Sequence, residues 1–166
     1  MLFRSNVVGT RPGAKARPNV LIEAHLDTVF PEGTDVTVKR EGNVLRAPGI
    51  GDDTRGLAAL LATLRGLQEA KVQTPGTITF SANVGEEGSG DLRGTKRLLN
   101  ETLKGQVDYF ISIDGSDPAQ IVYHGVGSYR YKVAFKGPGG HSYGAFGLVN
   151  PIHALGRAVA KIDAID

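Results

Sequence analysis

Residues 49–70 read GIGDDTRGLAALLATLRGLQEA. Leu57, Leu60, Leu61, Leu64 and Leu67 recur at i, i+3, i+4, i+7 and i+10, which is the spacing of an apolar stripe on a helix running from about Thr54 to Ala70. Asp53 or Thr54 is placed to cap its start. Short apolar runs lie on either side: Asn19–Ala24 (NVLIEA) between Pro18 and His25, and Thr77–Val84 (TITFSANV), which reads into the turn Gly85-Glu86-Glu87-Gly88. Each reads as a buried strand. The alternation continues with a helix predicted over Asp91–Leu103 and a third strand over Val107–Ile113 (VDYFISI). Strands alternating with helices place the chain in the α/β class, with a mixed, largely parallel sheet and flanking helices.

Working outward, Val36–Arg40 and Val44–Arg46 flank Glu41-Gly42-Asn43, a hairpin signal, and Ala47-Pro48-Gly49 breaks the chain before the Leu-striped helix. Downstream, Ile121–Tyr123 and Tyr129–Phe135 read as further strands, Gly137–Gly140 as a loop, and Asn150–Ile162 as a helix with Pro151 in its first turn. The pattern changes across Ser116–Gly127, so two parts are expected, residues 1–126 and 127–166. Leu2–Ser5 is left out of this reading, because it resembles a sequencing-adapter scar and leaves the natural start open upstream.

With 166 residues the chain can bury one core of ordinary size, and its 40% hydrophobic and 22% charged residues are those of a globular protein. The net charge of +2 comes from scattered residues, which points away from nucleic acid and from a membrane surface. No apolar run approaches the ~20 residues of a membrane span, and the first residues lack the form of a signal peptide; a cytoplasmic setting is expected. There is no cysteine, so any metal must be held by His, Asp and Glu.

Those residues gather at the C-terminal ends of the predicted strands, where open α/β sheets form their clefts. His25-Leu26-Asp27 follows the first strand, and the two-residue spacing puts both side chains on one face. His25 reads as a metal ligand and Asp27 as the carboxylate that orients it. Asp52-Asp53 opens the Leu-striped helix, where the helix dipole favours carboxylates. Glu86-Glu87 ends the second strand: if one binds a metal, the other sits beside the metal-bound water, the place of a general base. Asp114 ends the third strand as another oxygen donor. Each group has a plain alternative: a loop histidine, a helix cap, an exposed acidic turn, an ordinary Asp-Gly turn. Together they form a donor set without soft ligands that suits zinc, or manganese or cobalt. The glycines around Asp52 lack the order of a phosphate-binding loop.

The stretches AHLDTVFPEG (24–33), GIGDDTRGLAALL (49–61), GEEGSGDLRGTKRL (85–98), DYFISIDG (108–115) and GPGGHSYGAFGLVNPI (137–152) resemble the M20 metallopeptidase family, over nearly the whole chain from Asn19 onward. That family groups aminoacylases, deacylases, glutamate carboxypeptidases and small di- and tripeptidases. The resemblance implies two zinc ions: His25 and Asp114 on one, Glu87 on the other, Asp52 bridging both. It implies Asp27 as the orienter of His25, Glu86 as general base, and a cis peptide at Asp52–Asp53. It also implies a lid or dimerisation domain beginning near Gly137, whose His141 polarises the substrate carbonyl across a homodimer. His124 and His153 receive no role.

The expected reaction is hydrolysis of an amide bond in a small peptide or N-acyl amino acid. Three departures bear on it: the family's opening helix, a late zinc-binding histidine and a late carboxylate-binding arginine have no counterpart here. Asp53-Thr54-Arg55-Gly56, where many members have Asp-Lys-Gly, points to a peptidase-like branch. The chain is therefore expected to be an incomplete copy with impaired turnover. The alternatives are a fragment that binds metal or self-associates without catalysis, and a metal-free α/β binding module.

Overall fold

The computed structural model describes residues 5–115, 117 and 119–165. The chain divides into two compact units between Gln120 and Ile121. Ser116, inside the expected passage, and Leu2–Arg4 of the adapter-like stretch lie outside the described residues.

The first unit is built on a four-stranded sheet. Its strands are β1 (Val7–Arg11), β2 (Val20–His25), β5 (Ile78–Asn83) and β6 (Tyr109–Ser112), in the order β1-β5-β2-β6. β2 runs parallel to both β5 and β6, while β1 is antiparallel to β5, so the sheet is mixed and mostly parallel. The short hairpin β3 (Lys39–Glu41) and β4 (Val44–Arg46) stands apart as its own pair.

Helix α1 (Arg55–Glu69) covers one face of this sheet. Leu60 packs with Ala24 of β2 and Phe80 of β5, and Leu57, Leu64, Leu67, Ile22, Ile78 and Ile113 close around them. Leu61, though within the predicted stripe, is exposed. Period-2 alternation puts Leu21 and Glu23 of β2, and Thr79, Ser81 and Asn83 of β5, on the other face. There α2 (Arg93–Arg97) continues through wider helical turns over Leu98–Thr102, burying Leu98 and Gly94. This helix starts at Arg93, two residues later than the sequence suggests, because Asp91 and Leu92 both take left-handed φ angles of 56° and 51°.

Strand β1 was not predicted. Of the stretch Val36–Arg40 only Lys39 and Arg40 are paired.

In the second unit the one regular element among the described residues is α3 (Pro151–Asp163), capped by the Asn150 side chain, which accepts the Ile152 N–H at 2.9 Å. The expected strands Ile121–Tyr123 and Tyr129–Phe135 do not form. A strand exists only through a neighbour's main-chain groups, and the described residues of this unit supply none.

Candidate metal centre

Because β5, β2 and β6 are parallel, their C-terminal ends share one edge of the sheet, and the residues that follow them meet there. His25 closes β2 and is 3% exposed. Its main-chain N–H donates to Asp53 Oδ2 at 3.0 Å. Its ring is gripped at both nitrogens: Nδ1 lies 2.8 Å from the carbonyl oxygen of Asp27, and Nε2 lies 2.8 Å from Asp52 Oδ1 and 4.0 Å from Glu86 Oε2. A carbonyl only accepts, so Nδ1 carries a proton and Nε2 is the nitrogen left for a ligand.

Burial disfavours the charged ring, yet the Asp27 carbonyl, Asp52, Asp53 and Glu86 outweigh it and raise the His25 pKa. The neighbouring carboxylates point the same way. Burial raises the pKa of Glu86, and Asp114, Glu87 and Asp52 raise it further against the opposing effect of His25. Glu87 is raised by burial and then by Asp52.

Two sets of donors converge, each with one ligand atom per residue and all atoms within 4.8 Å of one another: His25, Asp52 and Asp114, and His25, Glu86 and Glu87. With no thiol in the chain these are nitrogen and oxygen donors throughout, which fits zinc, cobalt or manganese.

Asp53 is 1% exposed and ties two elements together. Besides the His25 N–H it accepts the Gly56 N–H on Oδ1 at 3.0 Å. It thus caps α1, as its place in the sequence suggested, and also fixes the end of β2, which the sequence did not show. The capping carboxylate fills the space a Cβ on Gly56 would need. That overlap explains the glycine three residues on. The Asp52–Asp53 peptide is cis.

Asp27 departs from the expectation. The part of Asp27 that meets the His25 ring is its main-chain carbonyl, not its carboxylate. The carboxylate turns to the next strand end, accepting the N–H groups of Gly85 at 2.7 Å, Glu86 at 3.3 Å and Glu87 at 3.1 Å. Burial raises its pKa, and these main-chain donors more than reverse that, so the group sits below its ordinary value.

Behind His25 lies a polar layer that the sequence reading passed over. Glu23, 3% exposed, accepts the Thr95 hydroxyl at 2.8 Å, and Asn83 Nδ2 donates to Thr95 Oγ1 at 2.9 Å. The signal was a charged residue in the middle of the apolar run NVLIEA.

His141 belongs to the second unit and is exposed. Its Nδ1 accepts the N–H groups of Tyr143 and Gly144 at 3.3 and 3.2 Å, which places the proton of the neutral ring on Nε2. His124 touches only the ring of Tyr123 among the described aromatic contacts.

Comparison with known proteins gives a consistent result. The sequence profile of peptidase family M20/M25/M40 matches residues 21–161. Carboxypeptidase G2 of Pseudomonas sp. (strain RS-16) is 37% identical over 116 residues, covering 69% of this chain and 27% of that protein. The crystal structure of a tripeptidase from Staphylococcus aureus subsp. aureus Mu50 aligns at a TM-score of 0.53 with 32% identity, over 68% of this chain and 30% of that one. The aminopeptidase PepT of Bacillus cereus ATCC 10987 aligns at 0.49 with 28% identity, over 67% and 30%. The chain thus spans about a third or less of the relatives it matches.

Proposed function

The chain belongs to peptidase family M20/M25/M40, and from that premise we propose that it supplies the metal-binding and base-bearing part of a hydrolase. The substrate would be an amide bond in a short peptide or an N-acyl amino acid. The observation that carries this reading is the convergence of His25 with two pairs of carboxylates at one sheet edge. The tripeptidase and carboxypeptidase among its relatives support a peptide substrate.

In this reading His25, Asp52 and Asp114 would hold one zinc ion, and Asp52 and Glu87 would contribute to a second. The chemistry such ions would supply is a lower pKa, toward ~7, for a water held at the site. Glu86 would take a proton from a water whose oxygen then bonds to the scissile carbonyl carbon, and would return that proton to the amine as the C–N bond breaks. The Asp27 carbonyl keeps His25 in the tautomer that presents Nε2. His141, whose proton lies on Nε2, is in the form that donates a hydrogen bond to a substrate carbonyl in a paired assembly. Residues 127–166 would then belong to the lid or dimerisation part, and residues 1–126 to the catalytic part.

Zinc titration by calorimetry on the 166-residue chain, with Asp52→Ala as control, tests the centre. Binding of one or two ions that Asp52→Ala abolishes is expected, and no binding in a folded chain would overturn it. Hydrolysis of a panel of dipeptides and N-acyl amino acids by the whole protein, lost in Glu86→Gln, tests the reaction. Zinc binding without any hydrolysis would favour the alternative of a non-catalytic metal-binding fragment.

A further inference from the structure

Asp27 performs two separable tasks with two separate parts. Its main-chain carbonyl meets the His25 ring, while its carboxylate gathers three consecutive N–H groups from another segment, Gly85 and Glu86 on Oδ1 and Glu87 on Oδ2. Successive N–H groups converging on one anion form a main-chain nest. Gly85 makes this nest possible. Its φ is +80°, and the space its Cβ would need is filled by Arg93.

The segment so held carries two acidic side chains into a cluster that already contains Asp52 and Asp114. Like charges drive such a loop away from the cluster, so something must hold its main chain in place. Among the described residues, the Asp27 carboxylate is the group that does so through all three N–H groups.

We infer that the Asp27 carboxylate is a positioning group for the Glu86–Glu87 loop rather than for the His25 ring. Its effect on the metal centre passes through Glu87 and its effect on proton transfer through Glu86. The consequence for catalysis rests on the proposed function, but the holding of the loop does not.

Asp27→Asn separates the two tasks. The main-chain carbonyl survives, so the His25 ring keeps its partner. The amide retains one accepting oxygen, which can serve Gly85 and Glu86 together. Its NH2 group then faces the Glu87 N–H, donor against donor.

The experiment is amide hydrogen exchange and ring NMR on the metal-free 166-residue chain, followed by zinc titration. In the unaltered chain the Gly85, Glu86 and Glu87 amides should exchange at least about tenfold more slowly than that of Gly33, an exposed turn residue. In Asp27→Asn the Glu87 amide should approach the Gly33 rate while the His25 ring resonances stay in place. Zinc affinity should fall about 10- to 100-fold, as for other groups that support a ligand. The same substitution on a Glu87→Gln background should add less than about twofold, since both act through one residue.

Exchange at the Gly33 rate in the unaltered chain overturns the assignment, even if the variant fails to fold. So does an Asp27→Asn variant that shifts the His25 ring and leaves the three amides protected. Protected amides in a chain that binds no zinc would sink the proposed function and leave the role of Asp27 standing.

Discussion

Helix α1 in the first unit and helix α3 in the second carry matching stripes. Leu57, Leu60, Leu64 and Leu67 of α1 meet Ala24 and Phe80 of the sheet, whereas Ile152, Leu155, Val159 and Ile162 of α3 are all exposed. The strand-like runs differ in the same way. Ile22 and Ala24 alternate with residues on the other face of a paired strand, while Tyr129, Tyr131, Val133 and Phe135 alternate in a segment that, among the described residues, pairs with no strand. A periodic apolar pattern is half of a contact. It becomes structure where the other half is within reach, and only there does burial return the entropy lost by ordering the chain.

The comparison is broken most directly by truncating both sides of it. Phe80→Ala in the first core, where Phe80 is 4% exposed, should cost about 3–5 kcal/mol in denaturant unfolding. A cost under about 1 kcal/mol would mean that the α1–sheet contact is not the core it is taken for.

The next effect sharpens the link between core and site. Gly56→Ala puts a methyl group into the Asp53 carboxylate and should cost about 1–3 kcal/mol. It should also weaken zinc binding, because the same carboxylate fixes His25. On the same helix Gly66 has open space around it, so Gly66→Ala should stabilise by about 0.5–1 kcal/mol. Equal effects at the two glycines would remove the claim that Asp53 dictates Gly56.

A smaller effect concerns the far end of the sheet from the site. The Arg17 guanidinium, which donates to Asp108, and the Asn19 N–H hold the Asp108 carboxyl below its ordinary value. A depressed folded pKa adds stability that is complete above the ordinary carboxylate value of about 3.9 and is lost as pH falls through the folded value beneath it. Asp108→Asn should flatten that part of the acid unfolding curve and change nothing near neutrality beyond the loss of the pair itself. An unchanged acid limb would remove the pair from the account. At the bottom of the scale, Val159→Ala on α3 should stay within about 0.5 kcal/mol, since the side chain is 55% exposed. A loss as large as that of Phe80→Ala would show that the α3 stripe does find a partner.

Much of the first unit was legible. The Leu stripe, the two apolar runs beside it and VDYFISI correspond to α1, β2, β5 and β6, because long, strongly periodic segments in that order leave few arrangements. Strand β1 was missed: Val7-Val8-Gly9-Thr10-Arg11 has no clear alternation, and its pairing with β5 comes from a segment about seventy residues away. The strands expected in residues 121–135 do not form for the converse reason, having the right local pattern and, among the described residues, no neighbouring strand.

At the site, residue types and strand ends drew attention to His25, Asp52, Glu86, Glu87 and Asp114, which the fold brings together. How they are held was not legible. Nothing in HLD tells whether the carboxylate or the carbonyl of Asp27 meets the imidazole. The choice depends on where Gly85–Glu87 arrives, and β5 decides that.

The sequence by itself determined the α/β class, the chemical nature of the donors and the strand ends at which they lie, because these follow from periodicity and from side-chain chemistry carried by single residues. Only the tertiary structure decided which main-chain groups grip which carboxylates. Asp53 turned back to β2 and Asp27 turned across to the loop after β5, since such bonds join segments that meet only once the parallel strands have been set side by side.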